Sequence, residues 1–113
     1  MIRGVGVDVA KVERFGSVDP AHVLSPAELV LYGSFGIEAR RREFLAGRFA
    51  VKEAIIKASP SALSVRSMPS IDVGNDVDGR PFLRSDQCAG MRAWLSITHE
   101  GDVAVGLCVL ESE

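Results

Sequence analysis

The sequence predicts a single α+β domain over residues 1–113, with a mainly antiparallel sheet packed on one long helix and short helices. Three observations lead there. Alternating apolar runs of strand length stand at both ends of the chain, at Val5-Gly6-Val7-Asp8-Val9 and from Trp94 onward. One helical stretch, Glu38 to Ala58, outlasts all others. Strands and helices mix without the regular βαβ rhythm of a parallel sheet.

The elements follow in order. Residues 2–9 alternate Val5, Val7 and Val9 against Gly4, Gly6 and Asp8, a strand whose glycines admit another backbone closely. Ala10 to Phe15 reads as a short helix. Asp19-Pro20 and Ser25-Pro26 are helix starts with proline in the first helical position, and Ser25 with Glu28 has capping-box spacing. A helix from Pro26 to Tyr32 is expected, then a loop through Gly33 and Gly36. After the long helix, Ser59 to Pro69 reads as a loop and Ile71-Asp72-Val73 as a short strand. Asp78-Gly79 signals a hairpin leading into a strand at Pro81 to Leu83. Asp86 to Arg92 reads as a short helix, Trp94 to Thr98 as a strand, His99 to Asp102 as a turn and Val103 to Leu110 as a buried returning strand.

The long helix breaks the amphipathic rule. At 100° per residue, Phe44, Val51 and Ile55 cluster, with Leu45, Phe49 and Ile56 beside them. Arg48 and Lys52 fall between these groups, on the apolar side. Glu53 and Lys57 fall among Ala46, Ala50 and Ala54. A helix apolar nearly all round is buried, and charges set into it need partners. Local rules that fail at identifiable residues mark function.

Bulk properties narrow the classes. The chain is 47% apolar, 25% charged and 6% aromatic, which excludes disorder and predicts an aliphatic core. A small chain this rich in aliphatics leaves room for an oligomer that hides apolar surface. The net charge of −2 and few aromatics argue against a nucleic-acid binder, although Arg40, Arg41, Arg42, Arg48, Lys52 and Lys57 form a local basic field suited to an anionic ligand or partner. Cys88 and Cys108 make neither a disulfide framework nor a metal signature and read as buried thiols of a reducing cytoplasm. No run has transmembrane length, and Arg3 and Asp8 interrupt the N-terminal apolar stretch, so no secretory signal is expected.

Asp8 ends a short strand and Glu53 lies on a helix beside Arg48, Lys52 and Lys57. Two carboxylates plus substrate phosphates are how proteins hold Mg²⁺. Such a metal neutralises a pyrophosphate, polarises phosphorus and stabilises a leaving oxygen. Glu53 and Lys57, at i and i+4, share a face lined by alanines. The same spacing also suits an ordinary helix salt bridge. Ser96, Thr98 and His99 at a strand end could present two hydroxyls and an imidazole to phosphate; a surface histidine without a role fits the same position.

Three segments in order resemble the holo-acyl-carrier-protein synthases, the small bacterial branch of the 4′-phosphopantetheinyl transferases. They are Gly4-Val5-Gly6-Val7-Asp8-Val9 with Glu13-Arg14-Phe15, the run Phe44 to Ala58, and Ser96-Ile97-Thr98-His99 followed by Val103-Ala104-Val105. Asn75-Asp76 and Gly79-Arg80-Pro81 add a turn similar to the family's. The resemblance implies the transferase fold and transfer of the 4′-phosphopantetheine arm of coenzyme A to a serine of apo-acyl carrier protein, releasing 3′,5′-ADP, in lipid metabolism and fatty acid biosynthesis. It implies Asp8 and Glu53 as Mg²⁺ ligands and catalytic residues, with Lys57 binding phosphate at the reacting centre. Arg48 and Lys52 would support the nucleotide site or its charge balance. Pro81, Ser96, Thr98 and His99 would line the coenzyme A pocket, and Arg14 would meet an acidic helix of the carrier protein. It also implies a homotrimer with sites at subunit interfaces. The alternatives are a homologue that binds coenzyme A or a carrier without turnover, against which the intact Asp8, Glu53 and Lys57 argue, and a nucleic-acid binder using Arg40 to Arg42.

Overall fold

The computed structural model describes residues 1–59, 68–84 and 90–112. Its elements are β1 (Ile2–Lys11), α1 (Pro26–Ser34), α2 (Glu38–Ala58), β2 (Val73–Asn75), β3 (Pro81–Leu83), β4 (Met91–Glu100) and β5 (Val103–Ser112), with 3₁₀ turns at Val12–Gly16, Pro20–His22 and Met68–Ser70. β1, β5 and β4 form an antiparallel sheet in that order, and β2 pairs with β3 as a separate hairpin beside β4. The α+β expectation holds.

Strand alternation decides what meets α2. Gly4, Gly6, Asp8 and Ala10 of β1 face the helix side, while Val5, Val7 and Val9 point outward, each more than half exposed. A side chain on Gly4 or Gly6 would collide with the carbonyl of Ala58 or Ala54, and one on Gly106 would collide with the backbone of Ala50 and Val51. Helix and sheet therefore touch backbone to backbone along a diagonal. Gly47 lies over Ile97 of β4, Ala50 and Val51 over β5, and Ala54 and Ala58 over β1. The core divides along α2: Val51, Ile55, Ile71, Val73, Cys108 and Leu110 on one side, and Phe15, Leu24, Leu45, Ala46 and Ala104 on the other.

The capping box at Ser25 forms as its spacing predicts: the Glu28 N–H donates to Ser25 Oγ (3.2 Å) and the Ser25 N–H to Glu28 Oε1 (2.7 Å). Several boundaries differ from expectation. Antiparallel pairing with β5 carries β1 on to Lys11, so the helix expected from Ala10 shrinks to a 3₁₀ turn. β4 runs to Glu100, narrowing the turn to Gly101-Asp102, where Gly101 takes the left-handed φ of 62°. Ile71 is buried but pairing starts only at Val73. The expected loop 59–69 is described only at its ends, and Met68–Ser70 is a 3₁₀ turn. Of the helix expected over Asp86–Arg92, residues 86–89 lie outside the described residues, as does Cys88. Met91 and Arg92 instead open β4, because Ser112 and Glu111 of β5 are there to pair with them.

Candidate functional site

Asp8 sits on β1, the edge strand, on the face toward α2. Lys57 lies near the end of α2 and reaches back over β1, donating to Asp8 Oδ1 at 2.8 Å and to the Val7 carbonyl at 3.2 Å. Asp8 is mostly covered while Lys57 stays half exposed. The bond to Asp8 holds the lysine above its ordinary pKa; desolvation opposes it, and the charges of Asp8 and, less, Glu53 add to it. Glu53 is half-buried one turn before Lys57 on the same face. Asp8 thus bonds the ammonium group directly, while Glu53, from the same helix face, acts on it through charge alone. Both offer hard oxygens, and no cluster of three or more His, Cys, Asp or Glu exists among the described residues. That donor set fits Mg²⁺, which leaves its other positions to water and phosphate.

Arg48 and Lys52 find a different setting from the one the resemblance implies. Lys52 is fully buried and donates to Glu28 Oε1 (2.5 Å), the Val23 carbonyl (2.6 Å) and the Met68 carbonyl (3.1 Å). An ammonium group has three donors, so none remains for phosphate. Lys52 is a core residue whose charge is matched inside the protein by Glu28. Arg48 is also buried; its Nε faces Glu28 Oε2 at 3.3 Å, its Nη2 donates to Asn75 Oδ1 at 2.5 Å, and its guanidinium lies 4.6 Å from the centre of the Phe44 ring. Burial presses both cations toward lower pKa, and Glu28 pulls them back. Charge balance is the part of the expectation that survives. The partner is Glu28, which the sequence marks only as a cap. The signal was there: two cations in an apolar stripe require an acid from elsewhere.

His99 lies next to the end of β4 on the helix side, against Gly47, and lines a small cleft with Phe35, Arg40, Glu43 and Phe44. Arg40 stands 4.9 Å from the centre of the Phe35 ring, so the cleft joins aromatic faces with cations. From sequence, Arg40 is only one member of a general basic field, and Phe35 and Phe44 are given no part in a ligand cleft. Ser96 and Thr98 alternate to the opposite face, with Trp94 and exposed Leu107, so the three residues Ser96, Thr98 and His99 do not line one pocket within a chain. Pro81 opens β3 opposite Asn75, and the Asn75 amide donates to the Gly79 carbonyl at 3.0 Å. Arg14 is exposed on the turn after β1, its guanidinium beside the rings of Phe15 and Phe49.

A family model described as the 4′-phosphopantetheinyl transferase superfamily matches residues 4–108. The chain belongs to that superfamily. This transferase is similar to a holo-[acyl-carrier-protein] synthase of Staphylococcus carnosus, 39% identical with 98% of each chain covered. It is also similar to one of Petrotoga mobilis, 34% identical over 100% of this chain and 99% of the other. The transferase fold matches the crystal structure of a holo-(acyl-carrier-protein) synthase from Bacillus anthracis in complex with CoA (3′,5′-ADP), with a TM-score of 0.87 and 32% identity over 100% of this chain and 99% of that one. It matches the acyl carrier protein synthase of Mycobacterium tuberculosis with a TM-score of 0.78 at 30% identity, covering 100% of both chains. Among the described residues, no helix is long and apolar enough to cross a membrane.

The transferase presents its charged groups in two places. Asp8, Glu53 and Lys57 lie at the β1 edge; His99, Phe44, Arg48, Asn75 and Pro81 lie toward β4 and the hairpin. In register, Asp8 stands opposite Gly106, and Gly106 opposite Ile97. The strand between the two places is covered by α2, whose backbone rests on Gly106.

Proposed function

We propose that the chain transfers the 4′-phosphopantetheine arm of coenzyme A to a serine of an apo-acyl carrier protein. The Asp8–Lys57 bond at the β1 edge, with Glu53 on the same face of α2, carries this reading. In the balanced step, the serine oxygen bonds to the pyrophosphate phosphorus that carries the pantetheine arm. The bond from that phosphorus to the bridging oxygen breaks, and 3′,5′-ADP leaves with the electron pair. Asp8 and Glu53 would hold Mg²⁺, which when bound supplies charge neutralisation to the pyrophosphate. The protein's own part is positioning and electrostatics, which dominate phosphoryl transfer. Lys57, a cation, meets the phosphate oxygens and the charge growing on the leaving group. Glu53, half-buried beside it, lies where the serine proton can be taken up.

The nucleotide end of coenzyme A fits the second place: His99, Arg40 and Arg48 for phosphate, Phe44 for stacking and Pro81 on the hairpin. Within one chain α2 stands between the two places, so we propose that each site draws its halves from two subunits of a homotrimer. Val5, Val7 and Val9 of β1, with Leu107 and Trp94, make an exposed apolar wall on the sheet that a second subunit would cover. Ser96 and Thr98 lie on this wall and would reach coenzyme A from the neighbouring subunit. Arg14, exposed near the β1 edge, would meet an acidic carrier protein; such complementarity speeds encounter and selects partners. We place the enzyme in the cytoplasm, in fatty acid biosynthesis.

The deciding experiment incubates the protein with coenzyme A, Mg²⁺ and apo-carrier and weighs the carrier by mass spectrometry. A gain of one phosphopantetheine arm, absent after chelation, is the expected result. Binding of coenzyme A without any gain in carrier mass would favour a non-catalytic homologue.

A further inference from the structure

The buried carboxylate of Glu28 divides its oxygens between two parts of the molecule. Oε1 serves the helices, accepting from the Ser25 N–H that starts α1 and from Lys52 of α2. Oε2 serves the hairpin side: it accepts from the Val73 N–H (3.0 Å) and faces Arg48 Nε (3.3 Å). Val73 opens β2 and Asn75 closes it, and Asn75 is the residue to which Arg48 donates and which pairs with Pro81. One oxygen therefore grips both ends of the Arg48–Asn75 link, the arginine at one end and the strand carrying the asparagine at the other. Arg48 is held from below by Glu28 and from the side by Phe44, with Asn75 ahead of it.

The metal half touches Glu28 only indirectly, through Lys52, the chain neighbour of Glu53 on α2. Asp8 and Lys57 bond to each other and to β1. The seat of α2 on β1 and β5 is set by backbone contact at Gly4, Gly6 and Gly106. We infer that Glu28 is a positioning residue for the nucleotide half of the site alone. This rests on the transferase reading above. The carboxylate touches neither substrate nor metal; it fixes the guanidinium and the hairpin that do the binding, as groups behind a ligand shell orient it.

Glu28→Gln keeps the shape and the capping-box geometry while removing the charge. Glu28→Asp keeps the buried charge and shortens its reach, and serves if the glutamine variant does not fold. The readouts are the dissociation constant of 3′,5′-ADP by calorimetry, the KM for coenzyme A and the Mg²⁺ concentration giving half-maximal rate. Both nucleotide constants should rise about tenfold or more, with the Mg²⁺ requirement within about twofold of wild type. Lys52→Met, which removes the helix arm with the bonds to the Val23 and Met68 carbonyls and leaves Oε2 with Arg48 and Val73, should lower the melting temperature and leave the KM for coenzyme A near wild type. A folded Glu28 variant with unchanged 3′,5′-ADP affinity and KM, losing only kcat or melting temperature, would overturn the inference. So would an equal shift in the Mg²⁺ requirement, which would mean general distortion. Wild-type protein that binds no 3′,5′-ADP and transfers nothing would instead defeat the transferase reading, and this inference with it.

Discussion

Asp8→Asn and Glu53→Gln should each cut phosphopantetheine transfer by on the order of 10³-fold, the scale seen when one preorganised electrostatic group is taken from a transition state. Stability should barely change. The Asp8–Lys57 pair is half exposed on its lysine side, and such solvent-screened pairs add little to stability. The lysine's raised pKa sets the window for that small contribution: it is complete below the ordinary lysine range and lost only as pH climbs through the raised value, so neutral-pH melts of Asp8→Asn register its full, small loss. Transfer rates at saturating Mg²⁺, beside thermal melts of the same samples, check both halves of this expectation. Either variant retaining wild-type turnover would remove Asp8 and Glu53 from the metal site.

The second large effect is on folding. Gly6→Ala or Gly106→Ala places a methyl group into backbone atoms of α2, at Ala54 in the first case and at Ala50 and Val51 in the second. Overpacking a core costs about 1–3 kcal/mol where flexible side chains can yield, and here the neighbour is a helix backbone. A loss of about 3 kcal/mol or more is expected, a fall of roughly 10–20 °C in melting temperature for a domain of this size. Gly33→Ala is the control. It lies within α1 with nothing within 4 Å of the added carbon, so it should be neutral or gain up to about 1 kcal/mol. Equal melting temperatures for Gly6→Ala and Gly33→Ala would contradict the backbone contact described above.

The legible and illegible parts of this chain divide on physical grounds. The bounds of α2 and β3 agree with their sequence patterns, because a long run of helix formers and a turn-flanked Pro81 are local signals. The nearness of Asp8 to the Lys57 face of α2 followed from residue types alone, since hard oxygens near cations suit one chemistry. Glu28 was harder. Its capping-box spacing accounts for the residue locally, and nothing local reveals that the same carboxylate neutralises two cations from another helix. The setting of Lys52 was illegible for the same reason: its bonds to Glu28 and to the Val23 and Met68 carbonyls come from distant parts of the chain, and no local signal reveals its burial. Grouping Ser96, Thr98 and His99 overlooked the alternation of the strand, which places neighbours on opposite faces. The start of β4 depends on pairing with Glu111 and Ser112, a long-range partner that no window around Arg92 contains.

The separation of the two charged places by α2 has a genetic consequence. If each site borrows from a neighbour, chains carrying Asp8→Asn and chains carrying His99→Ala are each inactive alone. Refolded together, they should recover activity, since some mixed assemblies bring an intact acid pair against an intact histidine. Such complementation between two dead alleles, measured against each refolded separately, would make catalysis a property of the junction and not of the polypeptide.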